Sequence, residues 1–456
     1  MKNQFKKTVF PNGLTVVTER LKEFRSLSVG IWARVGTRHE APHEAGVSHY
    51  LEHMLFKGTG KRSALDIARA VDQVGGEFNA FTAREYTCFH VLLLSRDVDL
   101  AVDILRDVLL DSKFDNTEIE RERKVILQEI AMVDETPEEL AHDVFFEQVF
   151  ANDGLGRPIL GTESSIRKME RKTMVDYFRR HYRPDQLVVS VSGNVSHQQV
   201  VKKLGALTRK NWPGRPEVKV TKAALKAKGT KNVLAAKATK PPFAATTAKP
   251  PKMTPGCWWI TRPTEQVHLV WGVPGTKYAS KDRFAAFLLN VYLGGGMSSA
   301  LFQEIREKNA LAYTVYSTLS SYIDTGVFSI YAATGMNQVP LCLKLIEDCV
   351  GKLQRDLLSK EDLKTIQDNL KGTIQLGSDN VESRMSSIAK NEIFFGRYVP
   401  VDEVCRQIDL VKPEDIRRMA RKLLSSGERS ILLLGPKPTP VITRKLKSHG
   451  LKRLTR

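Results

Sequence analysis

The residues best placed to do chemistry in this chain are His49, Glu52 and His53, in the string His49-Tyr50-Leu51-Glu52-His53. On an α-helix, positions i and i+4 lie one above the other on one face, with i+3 beside them. Two imidazoles at that spacing can converge on one metal ion, and the carboxylate is close enough to hold a water there. The competing reading is a surface helix with two solvated histidines. A second segment bears on the choice. Residues 117–133 have a helical pattern whose apolar stripe runs through Ile119, Ile126 and Val133, and Glu122 and Glu129 fall on that same stripe. Carboxylates on a core-facing stripe are costly unless a cation or a hydrogen-bond donor meets them. A metal ion and its histidines supply both. Glu129 is therefore the candidate third ligand, and Glu122 the candidate group that holds a ligand imidazole by its other nitrogen. An amphipathic helix with ordinary acidic residues remains the alternative. The chemistry such a site permits is metal-assisted amide hydrolysis, with zinc as Lewis acid and Glu52 as the base that later hands its proton to the leaving amine. Two neutral histidines and one carboxylate leave a fourth position open, as catalytic zinc requires, and the same donors tolerate Mn or Co.

These groups need a scaffold. With 456 residues, the chain suits two domains of about 200 residues each. Two bodies share an order of elements. In the first, Leu27 to Val35 alternates apolar at odd positions, a half-buried strand. An apolar helix follows from about Gly46, and near the end Met174–His181 reads as helix and Gln186–Ser192 as strand. In the second, Gln266–Gly272 leads to a helix from about Asp282, and Pro413–Leu424 precedes a strand over Ser430–Leu434. The offset of roughly 240 residues points to duplication of one α+β unit. The second copy carries Leu288-Leu-Asn-Val-Tyr292 where the first has its histidines, so chemistry and scaffold are divided between them. The predicted organisation is a catalytic zinc-binding domain over 1–217, a Lys/Ala/Pro-rich linker over 218–255, a second homologous domain over 256–436 and a loose basic tail over 437–456.

Charge is distributed to match. The net charge is +19, but residues 218–253 hold nine Lys and residues 437–456 seven Lys or Arg, neither stretch with an acid; without those sixteen charges the rest carries +3. The basicity thus sits in two segments that lack interleaved aromatics, which disfavours a nucleic-acid binder. No apolar run approaches the roughly 18 residues needed to span a bilayer, and no secretory h-region is visible. Five scattered cysteines without a C-x-x-C suit neither a disulfide framework nor a thiolate zinc site, and the expected compartment is the cytoplasm. His39 and His43 are also four apart, but Pro42 denies them a regular helix, and His142 and His268 stand alone as structural groups.

The segment Gly46-Val-Ser-His-Tyr-Leu-Glu-His-Met-Leu-Phe-Lys-Gly-Thr59 resembles the pitrilysin/insulinase family of inverted zincin metallopeptidases, in its bacterial processing-peptidase-like branch. H-x-x-E-H is that family's signature, and Glu129 and Glu122 fall where its third ligand and helper glutamate lie. The resemblance covers residues 6 to about 436 apart from the linker. It implies an α+β fold of two homologous domains, each an antiparallel-rich sheet with helices packed on one face, forming half of a clamshell. Gly75 to Thr87 resembles the family strand on which substrate lies, with Asn79 and Ala80 in the motif. An exposed edge of that kind pairs with an extended peptide through main-chain bonds. Leu301 to Val315 resembles the family's distal pair, so that Arg306 would hold substrate carbonyls and Tyr313 would donate to the developing oxyanion. Asn309-Ala310 stands where the family pattern has Arg-Gly. The resemblance further implies a Zn2+-dependent endopeptidase that hydrolyses unfolded peptides or small polypeptide segments inside a closed chamber, as a homodimer or a heterodimer with a related subunit. The rival from another class is a non-catalytic peptide-binding or scaffold subunit, which typically lacks the ligands retained here.

Overall fold

The structure is a computed structural model that describes residues 4–205, 249–424, 427 and 429–454. It contains two six-stranded sheets. The first is built from β1 (Gln4–Val9), β2 (Thr15–Arg20), β3 (Ser26–Ala33), β4 (Glu77–Thr82), β5 (Thr87–Leu94) and β6 (Leu187–Gly193), in the order β1-β2-β6-β3-β5-β4. The second uses β7 (Gly256–Thr261), β8 (Val267–Pro274), β9 (Ala312–Ser321), β10 (Gly326–Thr334), β11 (Ser430–Gly435) and β12 (Leu451–Leu454), in the order β12-β7-β11-β8-β10-β9. Five strands of each sheet correspond in order. In both, the pair that lies far apart in sequence is parallel (β2 with β6, β7 with β11), and the next three pairs are antiparallel. The chain is therefore an α+β protein with one topology used twice, as the repeated element order implies.

Both faces of each sheet are covered, and period-2 alternation divides the strand residues between them. In the second sheet Leu269, Trp271 and Val273 face a core shared with the helix Arg283–Gly294, the helix Val339–Arg355 and the helix Pro413–Leu424. Val270, between them, faces a second cluster with Leu140, Val144 and Phe145 of the helix Pro137–Val149. The first sheet is arranged alike. Trp32 of β3 donates its indole N–H to Ser190 Oγ (2.8 Å) and lies against Met385 of the helix Val381–Phe395. A Cβ at Gly30 would sit 2.5 Å from Met385 Sδ and 2.9 Å from Trp32 Nε1, so a larger residue there would force these side chains to shift. The bidentate pair of Arg384 with Glu19 of β2 is buried beneath the same helix.

These two single helices come from far along the chain. Of the described residues, those within 1–126, 159–244 and 378–399 form one compact unit, and those within 127–158, 245–377 and 400–456 form the other. The linker expected over 218–255 lies outside the described residues up to 248. From Pro251 the chain is already part of the second unit: Met253 is buried in the cluster around Phe145, and the Thr254 N–H donates to Val149 O (2.8 Å).

The basic tail is not loose. Thr439 caps a helix over Pro440–Leu446 whose Ile442 and Leu446 are buried, and β12 then pairs in parallel with β7, Leu451 opposite Cys257. Its apolar residues are spaced for one helix face, and its cations, among them Arg444, Lys445, Lys452 and Arg453, stay exposed. Composition hid a foldable pattern. Among the described residues no helix is long and apolar enough to cross a membrane.

Candidate metal centre

The helix Val47–Leu55 carries His49, Glu52 and His53. It starts after Gly46, which adopts φ +89°, a left-handed conformation that glycine takes without strain. Glu40 closes this start: its Oε2 accepts from the Gly46 N–H and its Oε1 from the Ser48 N–H, both at 2.8 Å. A carboxylate there satisfies two main-chain donors and complements the positive end of the helix dipole. The opposite face, with Val47, Tyr50, Leu51, Met54 and Leu55, is buried. The Tyr50 hydroxyl donates to Ile119 O of the helix Asn116–Glu135, which holds the two helices in one register.

That second helix brings Glu122 and Glu129 to the histidines. One ligand atom each from His49, His53 and Glu129 lie within 4.8 Å of one another. The two imidazole centroids are 4.6 Å apart, with the rings inclined at 67°. Burial, and secondarily the neighbouring His53, pushes the His49 pKa down to about 3, so this ring is a neutral base at physiological pH. His53 Nδ1 donates to Glu122 Oε2 at 2.9 Å, which leaves Nε2 as the nitrogen with a lone pair to offer. Glu122 Oε1 in turn accepts from Lys57 Nζ at 2.7 Å. Glu52 accepts a hydrogen bond from the Thr82 hydroxyl at the end of β4. Two imidazoles and one carboxylate, with a second carboxylate fixing a ring from behind, are a donor set that fits zinc.

Comparison with known proteins bears on the family and the fold. Residues 15–163 match the family model described as insulinase (peptidase family M16), and residues 168–370 match that of the peptidase M16 inactive domain. An uncharacterized zinc protease of Streptomyces coelicolor is 39% identical over 432 residues, covering 94% of this chain and 89% of its own length. A second, YmxG of Bacillus subtilis, is 35% identical over 425 residues, covering 93% and 97%. The chain belongs to peptidase family M16. Among solved structures, a protease from Helicobacter pylori superposes with a TM-score of 0.83 at 21% identity, covering 95% of this chain and 100% of that one. A peptidase M16 inactive domain from Pseudomonas fluorescens gives 0.82 at 18%, covering 96% and 99%. At those identities the structures speak for the M16 fold alone. The relatives' names speak for a metallopeptidase.

The other residues expected at an M16 site are placed as follows. Asn79 and Ala80 lie on β4, the edge of the first sheet, opposite His90 and Phe89 of β5. Arg306 and Tyr313 form one cluster on the second unit: Arg306 Nη1 donates to Tyr313 O (3.0 Å), and its guanidinium lies 4.3 Å from the Tyr313 ring centre. Tyr313 is 76% exposed. Arg306 sits in a π-helical stretch, Phe302–Lys308, a geometry frequent at functional sites. Ala310, two residues beyond it, has φ +49°, which explains the glycine of the family pattern; an alanine bears a cost of about 1–2 kcal/mol there. His39 and His43 lie in short 3-10 turns, and His142 and His268 hydrogen-bond to the hydroxyls of Tyr316 and Tyr331. Sequence reasoning missed Glu40, Lys57 and Thr82. Lys57 had a signal, since it stands four residues after His53; Glu40 and Thr82 act across loops and gave none.

Proposed function

We propose that this chain is a zinc-dependent endopeptidase that hydrolyses unfolded peptides or small polypeptide segments in a closed chamber, in the cytoplasm. The observation that carries the reading is the convergence of His49, His53 and Glu129 with Glu52 one helical turn from His49. When bound, zinc supplies a Lewis acid and lowers the pKa of a coordinated water. Glu52, oriented by Thr82, takes the proton from the attacking water and delivers it to the leaving amine. β4 offers main-chain donors and acceptors along an open edge, so an extended peptide adds there as a further strand without a demand on its sequence. Arg306 holds substrate carbonyls and Tyr313 donates to the developing oxyanion. The test is metal content of the purified protein alongside cleavage of a mixed pool of unfolded peptides. Chelation is expected to abolish cleavage and added zinc to restore it. A protein that binds one zinc yet cleaves nothing would support the second reading, a non-catalytic peptide-binding or scaffold subunit, which the inactive-domain name of the second family match brings forward.

We further propose that the working form is a dimer, with itself or with a related subunit, in which Arg306 and Tyr313 of one chain serve the zinc site of the other. Glu52→Gln and Arg306→Ala proteins, each inactive, are mixed under conditions of subunit exchange. In a mixed dimer one site combines both lesions, and the other joins an intact zinc site to an intact Arg/Tyr pair. Activity is expected to return toward about a quarter of wild type, because half of randomly exchanged dimers are mixed and each has one good site of two. Confirmed exchange with no recovery removes the trans arrangement.

A further inference from the structure

We propose that Lys57 is a positioning residue for the metal ligand His53, acting through Glu122; the inference rests on the zinc reading above. The contacts form a short chain, with Lys57 Nζ 2.7 Å from Glu122 Oε1 and Glu122 Oε2 2.9 Å from His53 Nδ1. The Glu122 side chain is only 7% exposed, so little water is at hand to complete the coordination of its oxygens. Each oxygen has one strong donor, and the two donors together set the plane and tilt of the carboxylate. With that plane fixed, the His53 ring is held with its proton on Nδ1 and its Nε2 toward His49 and Glu129. Take Lys57 away and the carboxylate keeps one partner and can turn about its last torsion, which is broad and shallow for Glu. The Lys57 side chain is 29% exposed, so its ammonium stays partly hydrated, and its charge cannot itself be a ligand.

Two roles for a cation in this place differ in sign. A lysine that acts only as a nearby charge repels a dication, and neutralising it tightens metal binding. A lysine that positions His53 supports binding, and neutralising it loosens the metal. The same contacts distinguish the residue from a general stabiliser: its influence runs through Glu122 and vanishes when that carboxylate is gone.

Zinc affinity of the full-length protein, titrated against a chromogenic chelator, reads this directly. Lys57→Met is expected to weaken zinc binding by about 10–100-fold, the usual cost of losing an outer partner of a ligand. Lys57→Arg, which keeps a cationic donor for the single contact with Oε1, should recover most of the loss. In a Glu122→Gln background, Lys57→Met should add little, because the route is already cut. Thermal unfolding of the metal-free variants, followed by circular dichroism, is expected to show a loss for Lys57→Met no larger than that for Glu122→Gln, since both break the same contact at Oε1. Unchanged or tighter zinc binding in Lys57→Met overturns the inference, as does a full additional loss in the Glu122→Gln background. A wild-type protein that takes up no zinc overturns the zinc reading and this inference with it. A wild type that binds zinc while Lys57→Met matches it overturns this inference alone.

Discussion

Glu52→Gln is expected to leave zinc in place and to lower peptide hydrolysis by about 10²–10⁴-fold, the range that a positioned acid–base group supplies. The substitution is nearly isosteric. Its amide oxygen can still accept from the Thr82 hydroxyl, so the side chain keeps its place at the end of β4. His49, His53 and Glu129 are untouched, so metal content should stay near that of wild type. What disappears is the ability to take a proton from the attacking water and return it to the amine. Activity on a mixed peptide pool and zinc measured on the same sample decide the matter together. Turnover within about tenfold of wild type, at full zinc occupancy, falls below the contribution of a general base and would falsify the assignment. Loss of zinc along with activity would instead make Glu52 part of the donor set.

Much of this site was legible from residue spacing because helices are rigid and regular. His49, Glu52 and His53 fall within five positions, so one helix fixes their mutual geometry whatever surrounds it. Glu122 and Glu129 lie two turns apart on one continuous helix, and the apolar residues Ile119 and Ile126 on the same stripe reveal which way both acids face. The duplicated strand order was legible for a related reason: period-2 apolar runs such as Leu27–Ala33 and Val267–Val273 are strong local signals. What composition and periodicity could not give were interactions closed over long loops. Nothing local in Pro137–Val149 or Val381–Phe395 says that the first packs on the second sheet and the second on the first. The reason lies in steric fit, in the missing Cβ of Gly30 against Met385 and of Gly272 against Phe145. Glu40 closes the histidine helix from six residues upstream, through a bent segment with no period to read. The fold of the tail is hidden from composition because cations dominate it, whereas Ile442, Leu446 and the short strand Leu451–Leu454 decide its structure.

Glu129→Gln and Glu122→Gln should differ in opposite directions on two measurements. In the proposed site Glu129 is a direct donor, so replacing its carboxylate by a neutral amide would remove both a charge and a strong ligand oxygen. Its zinc affinity should fall by more than the roughly 10–100-fold typical of an outer partner, and Glu122→Gln should stay within that range. Stability of the metal-free protein reverses the order. Glu122 is buried and pairs with both Lys57 and His53, so its amide leaves the ammonium facing a group that cannot match its charge. Hydrogen bonds to charged groups of this kind contribute on the order of 1–2 kcal/mol once the partial exposure of Lys57 is allowed for. Glu129 sits on a less buried turn of the same helix, and its amide should unfold close to wild type without metal. Chelator competition gives the first ordering, and urea unfolding of the chelated proteins gives the second. If Glu122→Gln proved the more damaging to zinc affinity, the carboxylates would exchange roles: Glu122 would be the ligand, and Glu129 the residue that supports it from outside.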